Sequence, residues 1–448
     1  MIIEWQGMLL IAGLVILDLL VINLICKHKK LKPEIRRKMF HMSMGLVMLS
    51  FPYLFKSAWS VGCLGIISIA FFLILRNTKL KNTLGQSLYS VERKSDGELY
   101  FVISVFLIYY LSHGNPILYS IPILILTFAD SSAALTGKKY GKTKLSELNE
   151  DAKSLEGSFM FFIVAFMLVL IPLLLFTEVG REEVLIISAI IGLNVAMIEM
   201  ISHSGNDNIL IPITSFAFLS TLINQDVVSL RFNIIILLCI YIIVNIANKV
   251  KSWSKVALAE IMVTGYLTII LYGLYAIIPP LMLFLTVMNF PSKKKNEKAN
   301  VYNARIIETN VSVGLLICAI AAVTGLKKEL FMLYSISYAM HLTVNTFVRF
   351  KYYLKYSEGK SLLLAYLKGL IFVLIPSACM QYNVFKAPVT WEWWLVYLSA
   401  LFGAGYLILL ERRHYKKEQI SVENGITHMQ IVALFTAIIG VLEYISII

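Results

Sequence analysis

Apolar stretches of near-membrane length follow one another from residue 8 to residue 448, separated by short charged loops, and this succession limits the fold more than any other feature. In hydrocarbon every backbone polar group must be satisfied internally. A helix does this and crosses in about 20 residues. Sixteen segments qualify: 8–26, 42–55, 58–75, 99–111, 116–129, 158–176, 184–200, 209–223, 232–247, 255–275, 277–290, 311–325, 330–348, 363–380, 393–410 and 429–448. Those at 42–55, 99–111 and 116–129 are short, which predicts that they are broken or enclosed by other helices. Hydrophobic residues make up 58% of the chain and charged residues 15%, against about 45–50% and about 25% in soluble domains. A soluble enzyme, a disordered chain and a coiled coil are thereby excluded. The expected fold class is all-α, a polytopic integral membrane bundle of about 14–16 transmembrane helices. The first stretch, Met8–Cys26, lacks a preceding basic region and a following small-residue cleavage site, and so reads as a retained span.

The net charge of +13 could signal nucleic acid or charge sorting across a bilayer, and the position of the charges decides. With sixteen spans, the odd-numbered connections carry 33 Lys and Arg residues and the even-numbered ones carry 6. The positive-inside rule then puts the odd connections in the cytoplasm of a cell-membrane protein and both termini outside. The basic charge is topological, so no nucleic-acid partner is expected. The five cysteines all fall in or at the ends of apolar stretches without a C-x-x-C pair, which argues against disulfides and a zinc site. Polar motifs crowd residues 33–212. The expected division is into membrane domains 1–224 and 225–448, the second of plainer composition with a basic loop at 291–300.

Four polar constellations fall on the cytoplasmic side. In Pro33–His41, a proline followed by Glu34 starts a helix, and Arg37, Lys38 and His41 share one face at three- and four-residue spacing. Such a face can clamp a di- or triphosphate, or simply anchor the helix against anionic lipid. In Ala129–Lys144, a carboxylate at Asp130 ends an apolar span, and Gly137 and Gly141 follow among four lysines, the last being Lys144. Glycines let backbone N–H groups approach phosphates, and a carboxylate can hold Mg²⁺; the plain alternative is a solvated lysine-rich loop. The string is one residue short of a Walker A loop and follows no strand. In Asp151–Ser158, Lys153 and Glu156 are spaced for an ion pair, or for a phosphate and a metal or hydroxyl respectively. In Glu199–Pro212, an intramembrane Glu199 precedes Asp207 and Asn208 across a connection without Lys or Arg. An acid at membrane depth faces a bundle interior or an aqueous cavity, in a functional or a structural ion pair. Together they supply what phosphoryl transfer requires: cations for the phosphates, and a base or metal at the acceptor hydroxyl.

In order and spacing, R-K-x-x-H (Arg37, Lys38, His41), D-x-x-A-x-x-x-G-x-x-x-G-x-x-K (Asp130 to Lys144), K-S-x-E-G-S (Lys153 to Ser158) and E…D-N-x-x-x-P (Glu199, Asp207, Asn208, Pro212) resemble the CTP-dependent lipid-alcohol kinases. That family includes dolichol kinase, phytol kinase and CTP-dependent diacylglycerol kinase, and the resemblance covers residues 30–220. It implies phosphate transfer from CTP, or UTP, to a membrane prenol with Mg²⁺. The second half is similar in layout to the membrane family that includes phytyl-phosphate kinase, over Pro279–Arg305 and Asn310, but lacks that family's later acids. It reads as a degenerate partner domain whose notable intramembrane polar groups are Glu260, His341 and Asn345.

On this reading Asp130 and Asp207 hold Mg²⁺ or position the acceptor hydroxyl, supported by Glu156 and Glu199. Arg37, Lys38, Lys144 and Lys153 hold the triphosphate, with His41, Gly137, Gly141 and Asn208 beside it. The expected partners are a membrane lipid alcohol, a nucleoside triphosphate and the bilayer. Two alternatives fit the same residues: a transporter or flippase for a phosphorylated lipid or anion, and a CTP-dependent diacylglycerol kinase.

Overall fold

The computed structural model describes residues 4–29, 31–78, 96–145, 153–202, 205–251, 255–288 and 304–387, with 85, 393, 397 and 398. Apart from one isolated β-bridge, the regular structure of these residues is helical. Among the described residues, eight helices are long and apolar enough to cross a membrane, and four shorter apolar helices accompany them. Every expected span up to residue 380 falls largely on helix over its described residues. The spans 393–410 and 429–448, on which the sixteen-span count depends, lie outside the described residues apart from the three isolated positions. So does the basic loop at 291–300.

The chain divides into two compact units, Met1–Ile236 and Leu237–Ile448. The first contains α1 (Glu4–Lys29), α2 (Pro33–Met48), α3 (Phe51–Leu54), α4 (Ala58–Asn77), α5 (Gly97–Leu111), α6 (Pro116–Leu124), α7 (Asp130–Tyr140), α8 (Leu155–Phe176), α9 (Arg181–Ile201) and α10 (Asp207–Leu222). It also takes the start of α11 (Val227–Lys251). Helices α1 and α4 keep large apolar side chains such as Leu9, Leu24, Ile66 and Ile74 on the outside, as lipid-facing helices do. The α6–α7 rod and α9 are instead mostly enclosed. Two of the three short spans behave as their length predicts, while 99–111 lies on one unbroken helix. Segment 42–55 breaks between α2 and α3, and 116–129 is buried.

Two local devices shape the rod that carries Asp130. Asn115 caps α6 by accepting from the Ile117 and Leu118 amides, at 2.9 and 3.2 Å, and Pro116 occupies the first turn. Pro122, inside the helix, removes one amide donor. The backbone then widens into a π-type turn over Ile125–Ala129 before resuming as α7. Helix α2 crosses this turn at Gly45, where any Cβ would overlap the side chain of Thr127. Thr127 cannot yield, because it is buried, β-branched and bonded through Oγ1 to the Ile123 carbonyl at 2.6 Å. Gly45→Val is therefore expected to destabilise the protein by about 1–3 kcal/mol. An unchanged unfolding midpoint in detergent would show that α2 does not need this approach.

Glycines set a second crossing. A Cβ on Gly157 of α8 would lie 3.0 Å from the Ala133 carbonyl and 3.3 Å from the Gly137 Cα of α7. The chain between these helices turns back on itself, with the Leu145 amide donating to Lys153 O and the Leu155 amide to Thr143 O, both at 2.9 Å. Ser154 then caps α8 through the Gly157 amide at 3.1 Å.

The second unit contains the rest of α11, then α12 (Lys255–Tyr272), α13 (Ile278–Met288), α14 (Ala304–Thr324), α15 (Lys327–Val348), α16 (Glu358–Gly369) and α17 (Ile375–Phe385). Its core is rich in tyrosine. Tyr272 and Tyr334 stack at 5.3 Å, and each hydroxyl donates to a backbone carbonyl, of Lys327 and Ala276 respectively, at 2.7 Å. That pairing satisfies phenols that would otherwise be unfavourable to bury. Glu260 and His341 are buried here, and Asn345 is half-buried.

Candidate active site

Pro33 and Glu34 occupy the first turn of α2 after an extended Lys32, and Glu34 pairs with Arg37 one turn on, at 2.7 Å. Lys38, His41 and Gly45 follow on the face turned to the π-type turn. Because Gly45 allows close approach, Lys38 reaches across 92 positions to place Nζ 2.5 Å from Asp130 Oδ2. Lys38 and Asp130 are only 4% and 7% exposed, so this is a buried ion pair. His41 Nε2 lies 3.7 Å from the same carboxylate oxygen and 3.0 Å from the Leu126 carbonyl. The His41 ring meets Phe101 of α5 edge to face at 5.4 Å.

A second cluster forms around Lys153, which precedes the cap of α8. Its Nζ lies 2.9 Å from Glu199 Oε1 and 4.0 Å from Asp207 Oδ2, and also donates to the Glu199 carbonyl. Ser158 donates to the other Glu199 oxygen at 3.0 Å, so both oxygens of this buried carboxylate are engaged. Burial disfavours the Lys153 charge, but Glu199 and Asp207 outweigh it and hold the ammonium above its ordinary pKa. The two clusters share one field. Arg37 is desolvated yet also raised, chiefly by Glu34, with Asp130 and Asp207 contributing, and Lys153 likewise feels Asp130. Five separate segments thus bring Arg37, Lys38, His41, Asp130, Lys153, Glu199 and Asp207 into one neighbourhood.

The remaining expected residues lie around this centre in different settings. Glu156 does not pair with Lys153. Its carboxylate accepts from the Thr143 amide at 3.1 and 3.3 Å and so holds the turn before α8. Gly137 and Gly141 face Ser154, and a Cβ at 137 would come within 3.0 Å of its Oγ, so both glycines serve the α7–α8 crossing. Lys144 is pinned through its backbone by the bridge to Ser154 while its side chain is exposed. Asn208 is buried and donates from Nδ2 to the Gly97 carbonyl at 3.0 Å, tying the start of α10 to that of α5.

The oxygen donors of Asp130 and Asp207 suit a hard cation such as Mg²⁺, which is usually held by one or two carboxylates together with substrate phosphates. Among the described residues no group of three or more His, Cys, Asp or Glu side chains is placed to hold a metal ion by itself. Sequence reasoning missed Asp18 of α1, whose Oδ2 accepts from Ser43 of α2 at 2.6 Å. The signal was present, since Asp18 is the single acid inside the first apolar stretch.

The chain is similar to a phytol kinase from Synechocystis sp. (strain ATCC 27184 / PCC 6803 / Kazusa), with 30% identity over 184 residues, which cover 41% of this chain and 76% of that relative. No protein-family model matches the chain, and no solved structure does.

Proposed function

The chain belongs to the phytol kinase family, and from that premise we propose that it transfers the γ-phosphoryl group of CTP to the hydroxyl of a membrane prenol. The observation that carries this reading is the convergence of three cations with Asp130, Glu199 and Asp207 from five separate segments of the first unit. CTP as donor rests on the resemblance of the motif set to the CTP-dependent kinases. The side of the membrane rests on the charge bias of the loops, which puts the site at the cytoplasm.

In this mechanism Arg37 and Lys153 bind the triphosphate, and both side chains keep part of their surface open to solvent. Glu199 fixes Lys153 in place, and Ser158 fixes Glu199. Asp207 and the phosphates would hold Mg²⁺, which when bound supplies charge neutralisation on the transferred group. Asp130, oriented by Lys38 and by His41, whose ring packs on Phe101, accepts the proton of the acceptor hydroxyl. The acceptor oxygen bonds to the γ-phosphorus, the bond from that phosphorus to the bridging oxygen breaks, and CDP leaves with the electron pair.

The test is the full chain in detergent with labelled CTP, Mg²⁺ and a panel from farnesol to phytol, read as lipid monophosphate by product mass. Failure to form any lipid phosphate across the panel would reject the reading. Lys153→Met is expected to lower kcat/KM for the nucleotide by about 10²-fold, because it removes a fixed cation from the transferring phosphate. An effect confined to the KM of the alcohol would instead place Lys153 on the acceptor.

A further inference from the structure

The site described so far has an entrance for phosphates but no assigned place for the lipid. An apolar cavity of about 150 Å³ lies beside Met44 and Met48 of α2, lined by α1, α2, α4 and α5 together with Phe51 of α3. Ser68 is the one polar side chain in its lining. Resting on the kinase reading above, we propose that this cavity is the acceptor subsite and that it grips the isoprene unit nearest the hydroxyl, leaving the rest of the chain in the bilayer.

Three observations identify the occupant. First, the cavity adjoins the candidate active site. Phe101 lines it and also packs its ring on His41, which lies beside Asp130, and Met44 lines it one helical turn after His41. Second, it reaches the outer surface of the bundle: Ile16 of α1 and Ile67 of α4 line it and are 46% and 55% exposed, among the apolar side chains that face lipid. Third, its size is selective. A dry apolar cavity of roughly 150 Å³ in another protein takes a guest the size of benzene. A branched five-carbon unit is of that order, and a whole long-chain alcohol is not. A site that reads only the proximal unit discriminates by branching near the hydroxyl and is indifferent to total length.

Gly65 gives the means of testing this. It lines the cavity, and a Cβ there would meet only Val102 Cγ1 at 3.7 Å, an ordinary contact, so a larger side chain can project into the space. Gly13 of α1 is the control, because a Cβ there meets nothing within 4 Å and Gly13 does not line the cavity. The full chain in nanodiscs of defined phosphatidylcholine would be photolabelled with a diazirine-bearing farnesol and mapped by peptide mass. Label is expected on α1, α2, α4 or α5 at the cavity, displaced by unlabelled phytol, and reduced about tenfold in Gly65→Leu but not in Gly13→Leu.

In turnover, Gly65→Leu is expected to raise the KM for every prenol by about tenfold while leaving that for CTP unchanged, and the parent should use geraniol and geranylgeraniol within about threefold of each other. Label that phytol does not displace, or that a diazirine phospholipid places equally well at the same residues, makes the cavity an ordinary lipid site and overturns the proposal. Displaceable label without lipid phosphate would reject the kinase reading and leave the subsite standing. Lipid phosphate with a KM insensitive to Gly65→Leu would do the reverse.

Discussion

Asp130→Asn is expected to slow lipid phosphorylation by about 10²–10⁴-fold per folded molecule, the range that a positioned general base supplies. The substitution keeps the shape of the side chain and its oxygen toward Lys38 but removes the site that receives the acceptor proton. Nucleotide affinity should change much less, because Arg37 and Lys153 are held by Glu34 and Glu199 rather than by Asp130. The decisive comparison is single-turnover chemistry against nucleotide binding on the same preparation. Turnover within about threefold of the parent would remove Asp130 from the proton transfer. A loss shared equally by nucleotide binding and chemistry would make its role structural.

The membrane architecture was legible because hydropathy is a property of composition along a line. Each expected span up to residue 380 falls largely on helix over its described residues, and the short segment 116–129 was marked as broken or enclosed by its length alone. Pairing was not legible, because it depends on which helices cross and at which residue. The spacing of Lys153 and Glu156 offered a helical ion pair, yet Ser154 is the cap and α8 begins at Leu155, so Lys153 lies before the helix. It reaches Glu199, 46 positions on, while Glu156 turns back to the Thr143 amide. The glycines at 137 and 141 show a similar ambiguity. Glycine permits close approach to a phosphate or to another helix, and here their missing Cβ atoms make room for Ser154 and Gly157. Asp18 differs in kind, because an acid inside an apolar span was visible from the start and only its partner Ser43 needed the fold.

Lys38→Met is expected to destabilise the protein by about 3–5 kcal/mol, the largest stability effect in the first unit, because it leaves the Asp130 carboxylate buried without its counter-ion. His41 cannot substitute fully. Its Nε2 is 3.7 Å from the carboxylate and already meets the Leu126 carbonyl at 3.0 Å. The same reasoning makes Asp130→Asn destabilising, since an uncompensated ammonium would then remain 4% exposed. Replacing both partners removes both charges, so Lys38→Met/Asp130→Asn should recover most of the loss, and the cycle should show a coupling of about 1–3 kcal/mol or more. Activity should not return with stability, because the base is still absent. Unfolding midpoints in detergent and lipid-phosphate formation, measured on all four chains, separate the two roles of the pair. Additive stability losses would mean that Lys38 and Asp130 do not interact in the folded protein. Recovery of turnover in the double variant would mean that the pair serves folding alone, and that Glu199 or Asp207 carries the proton.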